Sequence, residues 1–451
     1  MSRRFRSLAL FGAMLLPAIA PAAEVLSLDD AIRHALDHNP ELRASSAQAA
    51  AAEARADSTW GNLLPQVNLR YMARRSDNPL DAFADKLNTR TVTSPDLDPA
   101  AINYPGVSTV HATTLSVELP LYTGGRLTAG VQEAGRYAEA ATLSHTRQQQ
   151  ATVYRVTAAY RAAQAANTAL VIADDAVTAA REHAETTARL VRQGRIVASD
   201  RMTAELNLAA VQSAREQAAS RQRLAFDRLR LVMGWPAESD IALPAWQTPA
   251  AIEAVPAVAE LETRALDTRT DLKAHEAMVK VSRARVQAAR SAFHPQVGVV
   301  AADSWYDDNA ALDNKSQSIM GVVSMNLFSG GRDWHGLDAA QRDADEVQQR
   351  LEAARQTARA EVRAAASRLS EARNRVEIAA AGVDKAREAV RLVKQRYGEG
   401  RTILIDLLMA ERVLVEARGE ELTAALQQDL AATELRLADG SLAAPGAAPT
   451  P

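Results

Sequence analysis

Gly124-Gly125-Arg126 recurs as Gly330-Gly331-Arg332, 206 residues further along a chain of 451. The same offset relates Val156 to Val362, Val177 to Val383, Gly194 to Gly400, Asp200 to Asp406, Ala204-Glu205 to Ala410-Glu411 and Gly234 to Gly440. No insertion interrupts the register. Self-similarity at a fixed offset marks an internal duplication, so the chain is read as two copies of one unit.

What is duplicated is mostly helix. Val362, Ala365, Leu369, Ala372, Val376, Ala379, Val383, Ala386, Val390, Val393 and Tyr397 fall in a four-three rhythm. That spacing keeps one seam turned to a partner helix and implies a left-handed supercoil. From Arg332 to Tyr397 such a helix is ~100 Å long. Proline is absent between Pro120 and Pro236 and between Pro295 and Pro445. Each interval is expected to hold a hairpin of long helices: Arg126–Gln193 with Ser199–Met233, then Asp333–Tyr397 with Ile403–Ala438. Only 4% of residues are aromatic, which suits packed rods better than a thick globular core.

The ends speak of compartment. Arg3, Arg4 and Arg6, the apolar Leu8–Ile19 and Ala20-Pro21-Ala22 read as a secretory signal over residues 1–22. No later window has the ~18 consecutive apolar residues of a spanning helix. Cysteine is absent, so neither disulfides nor a lipid-modified N-terminal cysteine is available. The net charge of −3 gives no basic footprint for nucleic acid.

Ahead of each long hairpin the period changes from helical to two. Leu28–Asn62 reads as a helix capped by Ser27 and kinked near Asn39 by Pro40. Val67, Leu69 and Tyr71 then alternate with Asn68, Arg70 and Met72, which makes a strand. A polar stretch, Ser76–Gly106, reads as a long loop. A second alternation from Thr113 to Leu121 ends at the first Gly-Gly-Arg. After a proline-rich linker at 235–257 the order repeats: helix Glu260–Ala292, strands at about Gln296–Tyr306 and Gln317–Phe328, then the second Gly-Gly-Arg. Tyr71, Tyr122, Trp305, Tyr306 and Phe328 lie near the expected strand ends, where an aromatic girdle would sit. The tail, 441–451, is rich in Ala, Pro and Gly and is expected to be disordered.

Strands with one apolar and one polar face suit a wall between lipid and water, and equally a soluble sheet packed on helices. Four strands cannot close a barrel whose smallest bacterial form has ~8, and an open edge in lipid leaves backbone groups unpaired. If the strands are in a membrane, several subunits must share one barrel.

Taken together, these features resemble the TolC family of outer-membrane efflux proteins. The marks are Asn39-Pro40-Glu41-Leu42 and Thr270-Asp271-Leu272, the two Pro-Gln-Val strand starts, the two Gly-Gly-Arg junctions and the two Gly-to-Asp segments. The resemblance implies an α+β membrane protein of two tandem repeats, 23–234 and 258–440. Each repeat gives a β-hairpin (65–123 and 295–329) to a shared trimeric 12-stranded outer-membrane β-barrel. Each also gives long coiled-coil-like helices (126–233 and 332–438) to a periplasmic α-helical barrel. It implies a homotrimer in outer-membrane lipid, opened by a periplasmic adaptor and fed by an inner-membrane pump of a tripartite efflux or type I secretion system. Asp406 matches the acidic residue lining the periplasmic mouth. Asp200 and Tyr397 match members of the links that hold the mouth closed. Arg401 stands one residue earlier, relative to Gly400, than the family's latch arginine. Met409 occupies a position where some members carry a second acid.

The same residues have plainer readings. Asp200 and Asp406 suit the positive start of a helix; a carboxylate ring at a pore would favour cations. Gly194 and Gly400 are turn residues that also meet an adaptor in the family reading. Gly124, Gly125, Gly330 and Gly331 let the chain bend from strand to helix. His34 and His38 share a helix face, but no HExxH pattern or third ligand accompanies them, and a solvated face is expected. No phosphate loop, dinucleotide fingerprint or nucleophile elbow occurs, and neither a cofactor nor catalysis is expected. A passive outer-membrane exit duct is therefore expected; the alternative is a soluble periplasmic coiled-coil scaffold or adaptor.

Overall fold

A computed structural model describes residues 25–247, 255–309 and 311–443. The signal segment, the middle of the linker and most of the tail lie outside the described residues. The order is α1 (Leu28–His38), α2 (Pro40–Trp60), β1 (Gln66–Ser76), α3 (Pro79–Asn88), α4 (Pro99–Asn103), β2 (Ser108–Tyr122), α5 (Arg126–Arg192) and α6 (Ala198–Met233). The second repeat follows with α7 (Val258–Thr268), α8 (Thr270–Arg290), β3 (Gln296–Asp307), β4 (Asn314–Ser324), α9 (Arg332–Gly398) and α10 (Leu404–Ala438). The structure is thus two tandem α+β repeats. The described residues divide into two compact units: 39–154, 255–309, 311–374 and 428–443 form one, and 25–38, 155–247 and 375–427 the other.

The first of these units holds one antiparallel sheet, ordered β1-β2-β3-β4. The helices keep that order. Ser45 of α2 bonds His145 of α5 at 2.8 Å. Arg285 of α8 bonds Glu133 of α5 at 2.7 Å, and Arg355 of α9 bonds Glu276 of α8 at 2.8 Å. So α2-α5-α8-α9 follow the strands they lead into or out of. The expected seam is where α9 is buried: Val362, Ala365, Leu369 and Ala372 pack with Leu261 and Ala265 of α7 and Leu435 of α10.

Three readings of the sequence are corrected. Ser76–Gly106 is not a loop throughout. Asn78 caps α3 by accepting from the Leu80 and Asp81 N–H groups, and Asp98 caps α4 by accepting from Ala100. Asn78-Pro79 and Asp98-Pro99 are N-cap–Pro signals legible in the sequence. Second, β4 runs Asn314–Ser324 rather than Gln317–Phe328, because its register is set by β3, with Tyr306 opposite Asn314. Phe328 therefore lies outside the strand. Third, the helix read as Glu260–Ala292 breaks at Arg269, whose backbone is extended (ψ 121°). No proline marks that break. It is held by the buried Arg269 guanidinium, which bonds Asp271 at 2.6 Å, Glu361 at 2.6 Å and the Ala438 carbonyl at 3.3 Å. Burial opposes the charge on Arg269, yet the bonds and charges of Asp271 and Glu361 outweigh it and raise its pKa.

Candidate functional site

The sheet has two chemically distinct faces. Residues opposite one another in an antiparallel register share a face. Val67, Val117, Ala301 and Ile319 form one row, Leu69, Leu115, Asp303 and Gln317 the next, and Tyr71, Thr113, Trp305 and Lys315 another, while Leu119 pairs with Val299; this face is apolar along β1 and β2, and on β3 and β4 it also carries the Asp303–Lys315 ion pair at 3.1 Å. The alternate rows are Asn68, Ser116, Ala302 and Ser318, then Arg70, Thr114, Ser304 and Ser316. Thr114 and Ser304 hydrogen-bond at 3.0 Å across that polar face. The apolar face lies open on both outer strands: Leu69 is 73% exposed, Ile319 83% and Val323 71%. Among the described residues nothing pairs with the free side of β1 or of β4. Strands of 11 to 15 residues are long enough for the ~9–11 that a tilted membrane strand needs. Pro120 sits in β2, an inner strand, where its missing N–H coincides with a bulge at Leu121.

The far ends of the long helices form the second candidate site, all within one unit. Helix α5 ends at Gly194 (φ 70°) and α9 at Gly400 (φ 72°). In each, a bond from the residue after the glycine closes back over the last turn, Arg195 to Leu190 at 3.0 Å and Arg401 to Arg396 at 2.9 Å. These are helix terminations that need a left-handed residue. A Cβ added at either glycine would meet nothing within 4 Å, so the requirement is one of backbone alone. Ala204, Leu404 and Leu408 are buried beneath the turns, with Ala184 and Tyr397 against them.

Of the residues singled out in the sequence, Tyr397 and Asp200 stand at the same tip, near enough for the Asp200 charge to act on the phenol. Burial raises the Tyr397 phenol pKa, a side-chain hydrogen bond with Thr187 works against that, and the Asp200 charge adds to it. Thr187 is itself buried and donates to the His183 carbonyl at 2.7 Å. Arg401 lies apart from this group and pairs with Glu399 at 3.2 Å. Asp406, exposed in the first turn of α10, accepts a hydrogen bond from Thr402 at 2.5 Å. His183, unremarked in the sequence, and Glu411, noted there only as part of the duplication, meet at 2.6 Å between α5 and α10. Nothing in the sequence spacing could have paired them. Further along the same unit, a cavity of about 480 Å³ is lined by Ala176, Ala179, Ala180, Val211, Ala214 and Val415; the Asp175–Arg418 ion pair stands beside it at 3.2 Å.

The junction glycines differ in surroundings. Gly124 and Gly330 have nearly the same φ, 63° and 67°. A Cβ on Gly124 would come within 2.7 Å of His294 Cβ and 2.8 Å of the Ser291 carbonyl, whereas one on Gly330 would meet nothing. Gly125 and Gly331 (φ 87° and 86°) are likewise left-handed.

His34 and His38 do not lie on a simple solvated face. Their rings stack at 4.2 Å, and His34 stacks in turn on Trp235 at 4.7 Å. Burial, then the neighbouring His38, lowers the His34 pKa. Among the described residues no group of three or more acidic or His side chains is placed to hold a metal ion.

Comparison with known proteins decides what this arrangement is. The family model described as outer membrane efflux protein matches residues 31–235 and 261–441. This chain belongs to the outer membrane efflux protein family. Solved structures with the same fold include a membrane protein from Pseudomonas aeruginosa, at 21% identity and TM-score 0.79, covering 95% of this chain and 99% of that one. The outer membrane protein VceC of Vibrio cholerae is 19% identical with a TM-score of 0.76, covering 92% and 96%. The open state of the Neisseria gonorrhoeae MtrE outer membrane channel is 21% identical with a TM-score of 0.75, covering 92% and 89%. No curated protein sequence is similar enough to add to this. As an outer membrane efflux protein, the chain is an outer-membrane channel component with its helices in the periplasm. The soluble scaffold is the disfavoured alternative. Among the described residues no helix is long and apolar enough to cross a membrane.

Proposed function

We propose that three copies of this chain close one twelve-stranded barrel and form a passive exit duct. The four-stranded sheet with two unpaired edges and an exposed apolar face is the observation that carries this reading. Closing the ring removes both edges, which lipid cannot satisfy. The duplication supports it from a second side. Gly124 is seated against the Ser291–Phe293 turn of the other repeat. The equivalent seat for Gly330 is the Gly61–Leu63 turn, supplied by a neighbouring copy.

Met1–Ala22 directs export and is removed. Cargo is delivered by an inner-membrane pump through a periplasmic adaptor; the chain itself catalyses nothing. The adaptor meets the Gly194 and Gly400 turns, and the small-residue cavity further along the same helices takes up apolar side chains. Tyr397, Thr187 and Asp200 hold the mouth narrow, Asp406 lines it with negative charge, and Arg401 is free to move between Glu399 and a neighbouring subunit. Fractionation and bilayer recording test this. The mature chain should extract from the outer membrane only with detergent, run as a trimer and conduct ions. A mature chain that is monomeric in water without detergent overturns the reading.

A further inference from the structure

The connection between β1 and β2 spans Asp77 to Val107, against Asp308 to Asp313 between β3 and β4. Its position relative to the two faces of the sheet is fixed by register. Arg74 of β1 lies opposite Val110 of β2, two residues along from Met72 and Ala112 and four from Arg70 and Thr114. Since side chains alternate along a strand, Arg74, Val110 and Ala112 are on the polar face. Arg74 bonds Asp81 of α3 at 2.7 Å and also binds the Asp85 carboxylate, whose side chain is 5% exposed. Ser108 donates to the same carboxylate at 2.7 Å. Val110 and Ala112 are buried, at 1% and 5% exposure, while the polar rows nearer the helices are not. Helix α3 therefore lies over the polar face, at the end of the strands away from the long helices. Arg90, just past α3, reaches across to the Lys315 carbonyl of β4 at 3.1 Å.

We propose that this connection is a lid on the outer mouth of the channel, folded inward over the lumen and clasped by Arg74 to Asp85. The proposal rests on the three-copy barrel above, in which the polar face lines the bore. Twelve strands ~4.8 Å apart and tilted ~40° enclose a bore ~24 Å across between backbones. A helix with its side chains is ~10 Å across, so three lids nearly fill that opening. An apolar-face position would have put α3 in lipid; the register excludes it.

The lid is built to open without unfolding the wall. Of the ten residues of α3 only Ala82 and Asp85 are buried, and none of α4 is. A cavity of about 420 Å³ remains between α3, α4 and the strand ends, lined by Phe83, Tyr104 and Val107 among others. Few buried contacts and one ion-pair cluster mark a segment that opens locally while the sheet stays paired.

The test uses the absence of cysteine in the chain. Ser116→Cys puts a single thiol on the polar face, below the lid. Whole cells carrying the full-length protein are treated from outside with a small charged maleimide or a bulky polyethylene glycol maleimide. With the lid in place the small reagent should label Ser116→Cys and the bulky one should lag far behind. Replacing Asp77–Val107 by a short polar turn should bring the bulky reagent's rate close to the small one's. Arg74→Gln, which leaves the connection intact, should speed bulky labelling by about tenfold, the factor expected when a charge-assisted bond to a buried carboxylate is lost; it decides the matter if the shortened chain fails to fold. Equal bulky-reagent rates with and without the lid, or with and without Arg74, overturn the proposal. If even the small reagent fails to reach Ser116→Cys in the shortened, folded chain, the polar face does not line a bore. The channel reading then fails, and the lid with it.

Discussion

Gly124 and Gly330 are equivalent glycines with almost the same backbone, one wedged against Ser291 and His294 and the other facing open space. Duplication made the two junctions alike; the position of each repeat within the chain made them different. The first repeat has the second beside it, so its junction is complete within one molecule. The second repeat has no third repeat to lean on. Its strand β4, its helix α9 and its glycine all present the surface that the first repeat buries. In the three-copy barrel proposed above, what repeat one does to repeat two, repeat two does to the next copy.

The same comparison orders the expected effects of mutation. The largest contrast lies in the two helix breaks. Arg269→Ala strips Asp271, Glu361 and the Ala438 carbonyl of their common partner and should cost about 3 kcal/mol, the loss of two charge-assisted bonds and of the bond to the carbonyl. Asn39→Ala at the first break removes one bond to the Leu42 N–H, of 3.1 Å, and should cost about 1 kcal/mol. Denaturant unfolding of the protein in detergent measures both, and equal losses would mean the two breaks are held alike.

Next come the glycines. Gly124→Ala combines a left-handed backbone with a contact that must shift and should cost about 3 kcal/mol in the isolated subunit. Gly330→Ala should cost about 1 kcal/mol there, from its backbone alone. In the assembled trimer the difference should largely vanish, because Gly330 then has a seat as well. A gap that persists after assembly would break the equivalence of the two junctions.

At the far end, Tyr397 stands where the first repeat has Val191. Tyr397→Phe should loosen the tip by about 1 kcal/mol, one hydrogen bond's worth, seen as faster amide exchange around Gly400 than around Gly194. The phenol's folded pKa is raised above its ordinary 10.0. Its contribution is therefore complete below that value and is lost only as pH rises through the higher folded one. Tip exchange should not respond to Tyr397 between neutral pH and 9, and Tyr397→Phe should abolish the alkaline response; a response near neutrality would place another group at the link. Smallest in free energy is the Asp406→Ala exchange. It should leave stability unchanged yet weaken cation selectivity in bilayer recordings more than Asp200→Ala does, since Asp406 is exposed and Asp200 half-buried. Identical selectivity in both variants would remove Asp406 from the mouth.

Much of this is legible in the sequence. The heptad seam from Val362 to Tyr397 is where α9 is covered, because helix period and burial are the same fact seen twice. The kink at Asn39 was announced by Pro40. The break at Arg269 was not, because what ends that helix is a guanidinium bonded to residues on α9 and α10. The tip shows the same division. Gly194 and Gly400 mark their turns by chemistry alone, while Tyr397 comes against Ala184 and Ala204 only because α5, α6 and α9 pack side by side. Asn78-Pro79 and Asp98-Pro99 signalled helices in the connection after β1, but their polar surroundings suggested a loop.

The sequence by itself determined that there are two repeats, where helix gives way to strand, and which face of the first repeat's strands is apolar, since these follow from period, punctuation and alternation within a few residues. Only the tertiary structure decided which strand lies beside which, that the first connection folds over the polar face, and which of two identical glycines is left waiting for a neighbour. Those facts depend on register and contact between residues far apart in the chain, and no local pattern encodes them.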